Sequence, residues 1–158
     1  MVLGVTSYVV VQAVHVMAVV AAYGLPMAYP LLLPYLRRRH PHAMPGVHEV
    51  QYRLNQRLTG PGTAIILAAG VYMASKNSLW GEVWVTVPVA IMAVIVVVGG
   101  GIVVPASRKM AELSRADVEA GTIWGSEYDR VWARYLTAEV LLGVLVLVAV
   151  FFMVAKPG

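Results

Sequence analysis

No aspartate, glutamate, lysine or arginine occurs between Met1 and Leu36. About 20 such residues as a helix already cross the ~30 Å hydrocarbon core of a bilayer. Inside lipid the backbone must satisfy its own N–H and C=O groups, so the chain is restricted to helices or a closed barrel. A barrel would need strands of about 10 residues that alternate in polarity. Runs such as Val94-Ile95-Val96-Val97-Val98 and Leu141-Leu142-Gly143-Val144-Leu145 do not alternate, nor do they carry the polar face of a soluble helix.

The expected fold is therefore all-α: an integral membrane four-helix bundle, one transmembrane domain over residues 1–158. Its spans fall at about 5–33, 58–74, 83–104 and 136–155. Composition agrees, with 59% hydrophobic and 13% charged residues, against about 25% charged in soluble domains. The first span lacks a basic n-region and is too long for a signal-peptide core, so it reads as a permanent helix. The chain has no cysteine, which excludes disulfides and thiolate metal sites. The net charge of +4 suits anionic lipid, and no nucleic-acid partner is expected.

Of the 12 Lys and Arg residues, all but Lys76 and Lys156 fall in the connections after the first and third spans. The positive-inside rule places both connections in the cytoplasm of a bacterial plasma membrane and both termini outside. Gly24, Pro26, Pro30 and Pro34 should kink or end the first helix. Gly99-Gly100-Gly101 suggests close helix packing through small residues. Residues 106–134 mix charges at helical spacing, so the third helix should project beyond the membrane and turn near Gly121. Ser114 with Asp117 and Ser126 with Asp129 resemble capping boxes. Trp80, Trp84, Trp124 and Trp132 fit interfacial belts.

Arg53-Leu54-Asn55-Gln56-Arg57-Leu58-Thr59 and Arg130-Val131-Trp132-Ala133-Arg134-Tyr135-Leu136-Thr137 precede the second and fourth spans. This weak internal repeat would make the bundle two helical hairpins related by an axis along the membrane normal.

Few residues offer chemistry. His15 lies about nine residues into the first helix, roughly 13 Å deep at ~1.5 Å per residue. An imidazole there is a candidate metal or haem ligand, a proton relay, or a hydrogen-bonded tie between helices. Met92 stands at matching depth and is a candidate second axial ligand, against ordinary packing. Glu139, near the inner end of the fourth span, is either a proton-handling carboxylate or one half of an ion pair with Arg53 or Arg57. His40, His42, His48 and Glu49 read as a solvated basic loop before a metal site, because Pro41 and Pro45 oppose a regular ligand spacing. Arg37, Arg38 and Arg39 suit lipid headgroups; Arg37 and Arg38 would also reach the propionates of a porphyrin from the inner side.

The placement of His15 nine residues before Gly24, of Arg53-Leu54 before Thr59-Gly60-Pro61, of Glu139 in the last span, and of Lys156-Pro157 at its end is similar to a family of small four-helix bacterial membrane proteins. That family resembles the CopD copper-resistance membrane domain and the HemJ-type protoporphyrinogen IX oxidases. The resemblance implies a membrane bundle binding haem b or porphyrin in a redox role, with His15 as leading ligand and Glu139 as a catalytic proton group. Ala138-Glu139-Val140 departs from the Asn-Glu-x-Pro expected of the oxidase. The short outer loop lacks the Met and His that a copper site would want. Two other readings stand beside it: a structural or assembly subunit with protein partners, and a small proton-coupled transporter working as a homo-oligomer.

Overall fold

The computed structural model describes residues 7–157, and all regular structure among them is helical. Four long helical segments are each apolar enough to cross a membrane: α1 Ser7–Arg39, α2 Pro41–Lys76, α3 Val83–Glu119 and α4 Ser126–Ala155. Val5, where the first span was expected to begin, lies outside the described residues.

α1 breaks where its glycine and prolines predict. Its α-helical part Ser7–Tyr23 gives way to a 3-10 turn, Pro26–Ala28, and resumes as Tyr29–Arg39. α2 and α3 each contain a π-helical turn, Asn55–Thr59 and Gly99–Val103. A π turn adds one residue to a helical turn, which rotates the following face by about 100°. The two helices part from each other at that point, while α3 stays on α4 along its whole length. Gly60–Lys76 of α2 lies along α1, whereas Met44–Leu54 lies along Val104–Glu119 of α3; Val83–Val98 of α3 lies along α4. α4 runs unbroken through the region that echoes the first π turn, so the internal repeat is not carried into helix geometry there.

Lipid gives little reward for burying apolar side chains, so close packing and internal hydrogen bonds hold such helices together. Ala18, Ala22 and Ala69 are buried between α1 and α2. A Cβ on Gly62 would lie 2.8 Å from that of Ala22, so this glycine lets the two backbones meet. Thr59 donates to the Ala22 carbonyl at 3.2 Å. Thr63 donates to the Thr59 carbonyl at 2.7 Å, which leaves Tyr23 to donate to Thr63 Oγ1 at 2.7 Å.

At the basic end the helices extend well past the apolar spans. Arg37 pairs with Asp129 and stands 5.3, 5.2 and 4.9 Å from the ring centres of Trp124, Tyr128 and Trp132. This cation–π cluster ties the end of α1 to α4. Trp124 holds a left-handed backbone, φ +68°, and stacks on Tyr128 at 4.6 Å. Gly121, φ +69°, makes the expected turn after α3.

Several expectations are corrected. The first basic connection is helical almost throughout: Pro41 opens a 3-10 turn and Pro45 occupies the first turn of Met44–Leu54, where the missing N–H costs nothing. Neither capping box forms. Ser114 donates to the Ala111 carbonyl within α3, Asp117 accepts the Gly125 N–H, and Ser126 begins α4 without a side-chain cap. The triple glycine is not a tight helix contact, since a Cβ on Gly99, Gly100 or Gly101 would meet nothing within 4 Å.

Gly62→Leu should therefore lower the stability of the α1–α2 pair by about 1–3 kcal/mol or prevent folding, the cost of overpacking a rigid contact. Gly101→Leu should leave the thermal unfolding midpoint in detergent nearly unchanged. Equal midpoints for the two variants would contradict this contact.

Candidate functional site

A cavity of about 370 Å³ lies between the four helices, within the size range of small-molecule sites. Tyr23, Pro26 and Met27 of α1 contribute to it, as do Asn55, Thr59 and Thr63 of α2, Gly99, Gly100 and Val103 of α3, and Glu139, Leu142 and Gly143 of α4. Both π turns border it. Such turns recur at functional sites because they turn backbone and side chains away from regular packing. Gly60 and Ala64 of α2 and Val96 and Gly100 of α3 form an exposed margin. That margin faces sideways, where lipid would stand.

Glu139 is buried in the wall of this cavity. The expected ion pair with Arg53 or Arg57 is absent. Arg53 turns to Glu49 at 2.5 Å, and Glu139 instead accepts a 2.6 Å hydrogen bond from Tyr135, one turn earlier on α4. Tyr135 accepts from Gln51 Nε2 at 2.9 Å. Gln51 Oε1 is 2.7 Å from His48 Nδ1, and His48 Nε2 is 2.8 Å from the Tyr128 hydroxyl.

Donor chemistry gives this chain a direction. The Gln51 oxygen can only accept, so His48 carries its proton on Nδ1. A neutral ring then has a bare Nε2 that accepts from Tyr128. Each member donates to the next, from Tyr128 through His48, Gln51 and Tyr135, and the series ends on the Glu139 carboxyl. Polarised chains of this kind reinforce themselves in a low-dielectric interior.

Asn55 supplies the exception. It is 6% exposed and lines the cavity, and its Nδ2 is the one buried side-chain nitrogen or oxygen without a partner among the described residues. A buried amide donor without an acceptor is costly in lipid, and such groups call for an unseen partner.

His15 and Met92 line a different, smaller space of about 40 Å³, room for one or two waters. His15 Nδ1 donates to the Ile66 carbonyl at 3.0 Å, tying α1 to α2. The ring packs on Gly70, whose added Cβ would lie 3.5 Å from His15 Cε1. Met92 shares this space, as its depth predicted. No planar macrocycle fits there, and Arg37 is held by Asp129 and three aromatic rings, so these residues do not fit haem. Arg38 and Arg39 are exposed beside it. No group of three or more metal-ligating side chains occurs among the described residues.

The sequence singled out Glu139 but missed Asn55, Gln51, Tyr128 and Tyr135, and placed His48 in a solvated loop, whereas it is fully buried. A signal was present. His48, Gln51 and Asn55 follow an i, i+3, i+7 pattern, and Tyr128, Tyr135 and Glu139 an i, i+7, i+11 pattern; each set shares one helix face.

His15→Ala should lower stability by about 1–2 kcal/mol through a lost interhelical bond and a small void. It should not change the visible absorption of protein purified with added haemin. A Soret band in the parent that vanishes in His15→Ala would overturn this helix-tying role.

No curated protein and no solved structure matches the chain. Residues 9–157 match the family of predicted integral membrane proteins DUF2269, a match that says nothing of CopD or HemJ-type proteins. With the match covering nearly the whole chain and four helices long and apolar enough to span a bilayer, the protein belongs to the DUF2269 family of integral membrane proteins.

Proposed function

We propose that this protein is a small proton-coupled transporter of the bacterial plasma membrane. The central cavity receives a membrane-soluble ligand, and Glu139 is the group that gains and loses a proton. Both termini lie outside and the basic extensions of α1 to α4 lie in the cytoplasm, the orientation favoured by the distribution of Lys and Arg. Haem b and porphyrin redox chemistry have no part in this reading, since His15 is engaged by the Ile66 carbonyl and borders a space of only about 40 Å³.

One observation carries it: Glu139 stands where the cavity meets the buried hydrogen-bond chain. An ionisable group held inside a membrane bundle is costly and marks a ligand or proton pathway. Here the carboxyl faces ligand space on one side. On the other it ends a chain that reaches Tyr128, beside the exposed Arg37–Asp129 pair. Protonating Glu139 removes its charge and weakens the bond from Tyr135 on which that chain ends. The state of the carboxyl is thereby linked to the packing of α2 on α4 at the cytoplasmic end.

Difference infrared spectra of the protein in proteoliposomes test this after a pH jump. A buried carboxyl band should respond in the parent, vanish in Glu139→Gln and respond more slowly in Tyr135→Phe. A carboxyl that ignores bulk pH on both sides of the membrane, or a band that survives Glu139→Gln, would overturn the reading.

A further inference from the structure

We propose that the ligand is a lipophilic amine that also carries a neutral oxygen, a cationic amphiphile of the amino-alcohol class. It would be drawn sideways from the bilayer between α2 and α3. The inference rests on the reading of the cavity as a ligand site and adds its chemical class.

Charge comes first. Glu139 is the only Asp, Glu, Lys, Arg or His among the described residues that lines the cavity. A cavity with one carboxyl and otherwise uncharged walls attracts a cation and repels carboxylates and phosphates, because a buried charge must be paired. Glu139 accepts a hydrogen bond from Tyr135 at a single carboxylate oxygen and makes no other among the described residues. The second oxygen is left for a donor.

The polar end of the ligand must also accept. Asn55 Nδ2 is a donor without a partner, on the α2 side of the same cavity. An ammonium alone cannot satisfy it, having no lone pair. A hydroxyl or ether oxygen on the same ligand can. Glu139 and Asn55 together thus call for a donor and an acceptor on one ligand.

The rest of the ligand is apolar and of limited size. The glycine wall leaves room for it, since a Cβ on Gly99, Gly100 or Gly143 would meet nothing within 4 Å. These glycines make no close helix contact, and an interior glycine costs a helix roughly 0.5–1 kcal/mol relative to alanine. What they preserve is the space. The exposed margin at Gly60, Ala64, Val96 and Gly100 lies on the apolar lateral surface, so the ligand reaches the cavity from the membrane.

Propranolol, a fluorescent naphthyl amino alcohol, is a suitable probe, with its glycol analogue as neutral control and 1-naphthyloxyacetate as anionic control. Equilibrium dialysis against nanodiscs with and without the full-length protein measures binding. Propranolol should bind in excess of empty nanodiscs and both controls should bind far less. Gly143→Leu, whose Cβ would meet nothing within 4 Å, and Glu139→Gln should each weaken propranolol roughly tenfold or more, at unfolding midpoints close to that of the parent. If either control binds as well as propranolol and Gly143→Leu displaces it, the amine class is overturned while the cavity remains a ligand site. If no probe binds above empty nanodiscs, or Gly143→Leu changes nothing, the inference fails. The proton response of Glu139 in infrared spectra then decides the transporter reading separately.

Discussion

Inside a bilayer no water is at hand to complete a hydrogen bond, so each polar group in the bundle must find its partner within the protein. That constraint accounts for most of the polar side chains here. His15 answers to the Ile66 carbonyl, Thr59 to that of Ala22, Tyr23 to Thr63, and Tyr135 to Glu139. Each of the first three joins α1 to α2. With the accounts of the others closed, the unpartnered amide of Asn55 and the half-engaged carboxyl of Glu139 stand out, and they line the same cavity. The site is found by what is left over.

The two π turns explain how such a space arises in a short bundle. Regular helices that pair along their full length would close the centre. α2 and α3 instead part halfway, at Asn55–Thr59 and Gly99–Val103. Their halves at the basic end pack on each other, with small groups such as Ser107 and Ser114 fully buried. Beyond the π turns α2 lies along α1, while α3 stays on α4 throughout. The cavity lies at the point of divergence, and its lateral margin follows from the same geometry. The Arg37 cluster ties α1 to α4 at the basic end, and the space keeps its open margin at the side.

Hydropathy made the four spans and their order legible, because a bilayer imposes length and polarity more strictly than water does. The kink of α1 and the turn at Gly121 followed from proline and glycine alone. The helical extensions between the spans were not legible. Pro41 and Pro45 look like breakers until their places in a first turn are known, and tertiary packing on α3 outweighs the polar sequence around them. Polar residues were harder still. His15 drew attention because it is alone in an apolar run, yet a lone histidine in a helix is most simply satisfied by one neighbouring carbonyl. His48 lay among charged residues and looked solvated, although its partners sit 80 residues away on α4. Sequence gives the depth of a residue in the membrane far better than the helix it will face.

Glycine shows the same limit in its sharpest form. Gly62 and the group Gly99, Gly100 and Gly143 are indistinguishable by hydropathy, and the small-residue rule of membrane helices predicts close contact for all of them. Gly62 follows the rule, with the Ala22 methyl 2.8 Å from the place of its missing Cβ. The others do the reverse and face empty volume. A small residue permits two helices to approach, or it permits something else to enter, and which of these holds depends on whether the opposing helix has turned away. In this bundle the π turn at Gly99–Val103 is where α3 turns away. The glycines that soften it also line the space it opens.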